Sequence, residues 1–286
     1  MSLKRLLLLC VLFVCLPCLA GRTITDELGR RVRVPDHPHR LICLIPSVAD
    51  DIYALGAGVD VVGVSDFTKY PAEAASKPSI GLPMTPSIET ILSLHPDLVI
   101  GSGSLNDVQN ANELTRLGIP VFMLDPHGIA GIYRSIQDLG HALNREAAAS
   151  VLVVRLRARE AAVRRRVRGK PVARIFMPIW YDPVITVGKN AFITELIAAA
   201  GGRSVTGDIR QEWPQVSLEA IISRAPEALV LVKGSHMSLA DIAHRPGWDE
   251  LAAVKAGRVY YVDDKIDYPS PVAFNALEEL AEQFHP

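Results

Sequence analysis

The chain has 286 residues, of which 49% are apolar and 21% charged, and its formal net charge is −1. That composition supports a substantial core, excludes a disordered chain, and leaves no basic excess for general nucleic-acid binding. Only one long apolar run occurs, at the N-terminus, which excludes a polytopic membrane protein.

That run is the first predicted element. Lys4 and Arg5 precede the apolar stretch Leu6–Leu16, Pro17 breaks it, and Cys18-Leu19-Ala20 offers small residues for cleavage after Ala20. Eleven apolar residues fall short of the roughly 20 that span a bilayer core. Residues 1–20 are therefore expected to be a secretory signal, which places the mature chain in the periplasm. A lipoprotein is the weaker reading, because Val14 before Cys15 and Pro17 before Cys18 replace the small residue such a site needs. After cleavage only Cys43 remains, inside the apolar run Leu41–Ile45, so no internal disulfide forms and Cys43 is expected to be a small buried hydrophobe.

The remaining elements fall into two similar series. Leu41–Ile45 reads as a strand, followed by a helix that closes at Gly56-Ala57-Gly58. A second helix opens at Ser87 and stops before Pro96, and the strands Leu98–Ile100 and Val121–Asp125 follow. Residues 145–169 contain no Pro and no Gly before Gly169, and are rich in Ala, Arg, Leu and Glu. They predict one linker helix of roughly 36 Å whose arginines form a solvated outer face. The series then restarts with a strand at Arg174–Met177, a helix closed by Gly201-Gly202, a helix from Ser217 to before Pro226, and strands at Leu229–Val232 and Val259–Asp263.

The two series are copies. Ser87 to Ile100 and Ser217 to Val230 share the pattern Ser-apolar-Glu-x-Ile-apolar-Ser-x-x-Pro-acidic at an offset of 130 residues. Asp51–Gly58 resembles Glu195–Gly202, and Val121–Asp125 resembles Val259–Asp263, at offsets of 144 and 138. Alternating strands and helices predict an α/β protein with two Rossmann-like lobes and parallel sheets, residues 22–144 and 170–286, joined by the long helix. A ligand cleft is expected between the lobes, where loops after the strands converge.

Aromatic residues are only 6% of the chain, yet Phe67, Tyr70, Trp180, Tyr181, Trp213 and Tyr268 all fall in these post-strand loops. Flat faces with polar tips suit a large planar or macrocyclic ligand. No arginine pair appears in the loops to clamp a strongly anionic ligand, and the scattered histidines do not form a metal set. The chain has no Gly-x-Ser-x-Gly elbow, no Walker A loop and no His-Glu-x-x-His, and Gly101-Ser102-Gly103 reaches Asn106 where a dinucleotide loop needs its third glycine.

These residues resemble periplasmic substrate-binding proteins of ABC importers with a rigid helical linker, and most closely the cobalamin-binding family. The likeness runs from about residue 22 to 286 and is carried best by Glu212-Trp213-Pro214-Gln215-Val216-Ser217-Leu218-Glu219, by Val61–Phe67 and by Pro96–Ile100. The resemblance implies a non-enzymatic protein that needs no cofactor, the corrinoid being cargo. It implies one docking glutamate per lobe, Glu89 and Glu219, facing a dimeric permease in the inner membrane. It also implies stacking faces at Trp213 and Phe67, and corrin-amide contacts at Asp264 and Tyr268. Tyr70, Leu82, Trp180 and Tyr181 complete the expected ligand set. The chain is expected to act as a monomer and to bind no nucleic acid. Two positions depart from the family: the tryptophan expected near Leu82-Pro83 is absent, and Ile185 stands where an aromatic belongs. Haem, with Tyr70, Tyr181 or His236 as axial ligand, a ferric siderophore, or an exported enzyme using the same cleft stay open as alternatives.

Overall fold

The computed structural model describes residues 21–103, 108–235 and 237–286, so the predicted signal segment, the loop at 104–107 and His236 lie outside the described residues. An antiparallel hairpin, β1 (Gly21–Thr25) and β2 (Arg31–Pro35), comes first. The first lobe then runs β3 (Leu41–Cys43), α1 (Pro46–Ala54), β4 (Val61–Val64), α2 (Ala72–Ala75), β5 (Gly81–Leu82), β6 (Thr85–Pro86), α3 (Ile88–Ser93), β7 (Leu98–Ser102), α4 (Val108–Arg116) and β8 (Val121–Leu124). Two helices follow, α5 (Gly128–Ala142) and α6 (Glu146–Val167). The second lobe is β9 (Ala173–Phe176), β10 (Pro178–Tyr181), β11 (Val184–Thr186), α7 (Phe192–Ala199), β12 (Gly202–Ser204), α8 (Leu218–Ser223), β13 (Ala228–Val232), α9 (Leu239–Ala243), α10 (Ala252–Lys255), β14 (Val259–Val262) and α11 (Ala273–Phe284).

Each lobe carries one four-stranded parallel sheet, ordered β4-β3-β7-β8 and β12-β9-β13-β14. In order of appearance both read 2-1-3-4, so the two-copy reading holds at the level of topology. The central strands are apolar on both faces because helices cover both; β7 and β8 are buried throughout. Cys43 is fully buried on β3, and burial pushes its thiol far up, which makes it an inert packing group.

The repeated signals have repeated geometry. The side chains of Ser87 and Ser217 each accept a hydrogen bond from the backbone N–H three residues on, at 3.2 Å, and so cap α3 and α8. Both helices end in a non-glycine residue in the left-handed region, His95 (φ 45) and Ala225 (φ 43), directly before the proline. The acid after each proline then ties down the start of the lobe's first strand. Asp97 accepts from the Arg40 N–H at 3.0 Å, and Glu227 accepts from the Arg174 N–H at 2.9 Å. In return the Arg40 guanidinium donates to the Leu94 carbonyl at 2.7 Å, and Arg174 donates to the Arg224 carbonyl. These are the carbonyls a helix C-terminus leaves open.

The lobes are fused rather than merely tethered. One apolar core runs from Ile45 and Ile52 through Ile132 and Ile136, across Leu152 and Leu156 of α6, to Ile193, Leu196, Phe274 and Leu277. Tyr133 of α5 stacks on Phe274 of α11 at 5.7 Å and donates to Glu160 of α6 at 2.7 Å. The linker arginines differ from the solvated face expected of them. Arg159 makes a two-pronged bond to Glu278 at 2.7 and 2.8 Å, and Arg166 reaches Glu282 at 3.1 Å, so part of that face is pinned to α11. Among the described residues no helix is long and apolar enough to cross a membrane.

Carboxylates complete the join reciprocally. Asp50 of α1 accepts from Ser270 Oγ at 2.8 Å and the Val272 N–H at 3.1 Å, at the N-terminus of α11. Glu195 of α7 accepts from the Ile129 N–H at 2.8 Å, at the N-terminus of α5. Each lobe thus supplies an anion to a helix start beside the other, where the helix dipole favours it. Gly128 is required there: it has φ +65, and a Cβ would lie 2.5 Å from the Glu195 carboxylate.

Beside Asp50, Asp51 is buried and its Oδ1 has no partner. Burial, with Asp50 and Glu27 nearby, holds its carboxyl well above the usual range. The folded chain therefore keeps a proton that the unfolded chain releases above a pKa of about 4. The contribution of Asp51 to stability is therefore greatest below that value and falls as pH rises. Asp51→Asn is expected to raise the urea midpoint at pH 8 and flatten the decline between pH 5 and 8. A variant less stable than the parent at pH 8 would contradict this.

Candidate functional site

The helices run back antiparallel to the strands, so the strand C-termini and the starts of α3 and α8 share one edge of each lobe. Between those edges lies an open cleft of about 530 Å³. Ile45, Pro46, Ser47, Phe67, Lys69 and Pro126 line it from the first lobe. The second lobe contributes Ile179, Phe192, Glu212, Trp213, Lys233, Asp264, Asp267 and Tyr268 among others. A second cavity of about 490 Å³, containing His127, Lys189 and Glu195, shares Glu212 with it and extends the trough.

Phe67 and Trp213 are the exposed flat faces, 68% and 43% accessible. Phe67 has φ 65, a strained conformation for an aromatic residue. Its loop is held by Asp66 N–H donating to the Gly81 carbonyl at 2.8 Å and by Thr68 Oγ1 donating to Ser65 at 2.8 Å. The Trp213 loop lies on the segment after β11. Gly188 N–H donates to the Glu212 carbonyl at 2.9 Å, and Thr186 N–H to the Pro214 carbonyl at 3.1 Å. Only glycine permits this approach, since a Cβ at Gly188 would sit 2.0 Å from the Gln211 carbonyl oxygen.

One rim of the cleft is already closed between lobes. Lys69 Nζ lies 2.6 Å from Asp264 Oδ2, and Tyr70 OH donates to Asp264 Oδ1 at 3.0 Å. Tyr268 OH reaches the Phe67 carbonyl at 3.5 Å, and the Tyr70 and Tyr268 rings meet edge to face at 5.9 Å. Burial and the bond to Asp264 push the Tyr70 hydroxyl up to about 12. Asp267 is exposed into the cleft, yet the protein mass around it and the Asp264 carboxylate raise its pKa to about 6.

Of the residues expected to contact ligand, Phe67, Trp213, Asp264 and Tyr268 line the cleft. Tyr70 does not; it buttresses the wall through Asp264. Leu82 lies on the short hairpin strand β5, outside the lining. Trp180 and Tyr181 also lie outside: they stack on each other at 5.4 Å, Trp180 Nε1 donates to the Asp182 carbonyl at 2.9 Å, and Arg245 covers the Tyr181 ring at 3.5 Å. From that strand Ile179 lines the cleft instead. Phe192, at the start of α7, and Pro126 escaped sequence reading because neither sits in an aromatic-bearing loop. Asp267 sits in the 264–268 loop, where its sequence context carries no motif that singles it out. Glu89 and Glu219 are exposed in the first turns of α3 and α8, away from the lining. The Glu219 carboxyl is lowered by its own backbone N–H and by Ser217.

Residues 41–266 match the periplasmic binding protein model. The chain belongs to the periplasmic binding protein family. This periplasmic binding protein is 31% identical over 274 residues to an uncharacterized ABC transporter substrate-binding lipoprotein, YvrC, of Bacillus subtilis, covering 92% of this chain and 85% of that one. It is 31% identical over 192 residues to the vitamin B12-binding protein of Salmonella choleraesuis, covering 67% of this chain and 71% of the other. Among solved structures it resembles the periplasmic vitamin B12-binding protein BtuF of Vibrio cholerae, with a TM-score of 0.75 and 25% identity, covering 86% of this chain and 96% of that one. It also resembles the apo periplasmic heme-binding protein RhuT from Roseiflexus sp. RS-1, with a TM-score of 0.79 and 25% identity, covering 86% and 98%.

Gly188→Ala is expected to displace the Trp213 loop without unfolding the protein. Acrylamide quenching of tryptophan fluorescence should change while the far-ultraviolet circular dichroism does not. Unchanged quenching would show that the contact is not what places Trp213.

Proposed function

We propose that this protein is the periplasmic, non-catalytic substrate-binding component of an ABC importer, and that its cargo is a corrinoid of the cobalamin type. The observation that carries the reading is the pairing of flat faces across the cleft, Phe67 from one lobe and Trp213 from the other, above an acceptor-rich floor. Glu212, Asp264 and Asp267 supply carboxylates, and Ser47, Ser235 and Tyr268 supply hydroxyls. A corrin carries primary amides around its rim, whose N–H groups such acceptors bind.

The same floor suits haem less well. Both lysines of the main cleft are engaged, Lys69 with Asp264 and Lys233 with Glu279, which leaves, among the described residues, Lys189 of the adjoining trough as the cation open to a propionate or an anionic siderophore. Of the phenols offered as axial ligands, Tyr70 is bound to Asp264 and Tyr181 lies outside the cleft. The hydroxyl that does face the cleft, Tyr268, is raised by burial and by the Asp264 and Asp267 charges, which opposes the phenolate ferric iron prefers.

The protein then acts as a monomer that captures cargo and hands it over by setting Glu89 and Glu219 against basic residues of a two-subunit permease. Charged rim contacts of this kind set association rate and orientation more than affinity.

The test is retention of cyanocobalamin, cobinamide, haemin or a ferric hydroxamate on desalting. A corrinoid spectrum should be retained, and Trp213→Ala should weaken binding by about 30-fold or more, as loss of a central stacking residue does. Retention of haemin alone would move the cargo assignment to haem. Separately, Glu89→Ala with Glu219→Ala should abolish cellular uptake while leaving capture by the purified protein intact; undiminished uptake would refute the docking role.

A further inference from the structure

A cavity of about 490 Å³ in the second lobe shares no lining residue with the cleft and contains three arginines, Arg174, Arg203 and Arg224. It lies beside β12, the edge strand of the sheet. Arg203 and Arg174 are register partners on the parallel strands β12 and β9, so their side chains leave the same face of the sheet. Like charges so placed repel; Arg174 is held there by its helix-closing bond, but among the described residues no bond in the fold requires Arg203.

The charges are not balanced. The one acid in the lining, Asp208, is taken on both oxygens by Arg224, at 2.6 and 3.1 Å. Arg174 spends its guanidinium on the Arg224 carbonyl. The Thr194 hydroxyl donates to the Gly188 carbonyl at 2.7 Å, and Ser204 Oγ faces Thr206 at 3.1 Å. Arg203 is exposed and has no hydrogen-bond or ionic partner among the described residues. The cavity therefore holds two positive charges in excess and one open guanidinium fork.

The first lobe provides a comparison within the same chain. There Arg40 makes the bonds that Arg174 makes here. Its strand neighbour Leu41 registers with Val61, which puts Asp60 at the position corresponding to Arg203. Asp60 accepts from His39 at 3.4 Å and lies 3.9 Å from Arg145. One copy of the fold places an acid beside the capping arginine, and the other places a third arginine.

We infer that this second-lobe cavity binds a phosphate group, with Arg203 as its principal ligand and Arg174 as the charge behind it. A guanidinium fork matches the paired oxygens of a phosphate, and the hydroxyls around it are already committed, so recognition rests on charge and bidentate geometry. Either free phosphate or the headgroup of an anionic phospholipid supplies this chemistry.

The test uses the full mature chain and two probes. Thermal unfolding is followed against inorganic phosphate, with potassium chloride at matched ionic strength as control. Co-sedimentation is measured with phosphatidylglycerol–phosphatidylcholine vesicles and with phosphatidylcholine alone. The expected result is a saturable, phosphate-specific rise in Tm, anionic-vesicle binding, or both, weakened at least tenfold by Arg203→Gln and partly by Arg203→Lys. A phosphate response without vesicle binding identifies the free anion as the source; vesicle binding identifies the headgroup. Corrinoid capture by Arg203→Gln should be unchanged, since Arg203 lies outside the cleft. No response to either probe, or one that Arg203→Gln leaves intact, overturns the proposal.

Discussion

The join between the lobes governs how the rest of this molecule works. Asp50 and Glu195 each place a carboxylate on a helix N-terminus, in opposite directions across the molecule. The apolar core passes beneath both without interruption. Opening the cleft widely would expose that core and strip two buried or half-buried carboxylates of their donors. Hydrogen bonds to charged groups contribute about 1.5–3 kcal/mol each, so wide opening is disfavoured before any apolar surface is counted. Only small relative motion is compatible with that join.

The rim itself is asymmetric. On one side Asp264 takes two donors from the first lobe, Lys69 and Tyr70, and Tyr268 reaches the Phe67 backbone. On the other side His127 is held by Asp125 at 2.9 Å, and it lowers the Glu212 carboxyl less than burial raises it. A ligand between Phe67 and Trp213 meets the Asp264 wall at one end; at the other, Glu195 reaches across to the Ile129 N–H beside the trough.

Much of the fold was legible because it is written twice. Ser87 and Ser217, Pro96 and Pro226, and the glycines after α1 and α7 are local signals whose physics does not depend on distant partners. The linker helix was legible for the same reason, observed at Glu146–Val167 against an expected 145–169. What did not show was set by tertiary pairing. The hairpins β1–β2, β5–β6 and β10–β11 are too short to carry a period. The arginines of α6 look like a solvated face until α11 places Glu278 and Glu282 opposite them. The site was harder still. Trp180 and Tyr181 share composition and loop position with Trp213, but an antiparallel hairpin turns them onto each other, with Arg245 over Tyr181. Sequence places an aromatic near a cleft; the register of a hairpin decides which way it faces.

The duplication also separates what the fold demands from what it does not. Both copies keep the serine cap, the left-handed residue before proline, the acid that fastens the first strand and the arginine that closes the helix. Each of these satisfies backbone groups that would otherwise be left open, so each copy needs them regardless of function. The copies part at Asp60 and Arg203, at the position of the inserted hairpin, and at Phe67 against Trp213. None of these differences repairs a backbone deficit. Glu89 and Glu219 belong to neither set. A first-turn acid helps its helix modestly, and other residues serve there too. Both are exposed and matched in position, which is the arrangement the proposed two-fold docking rests on.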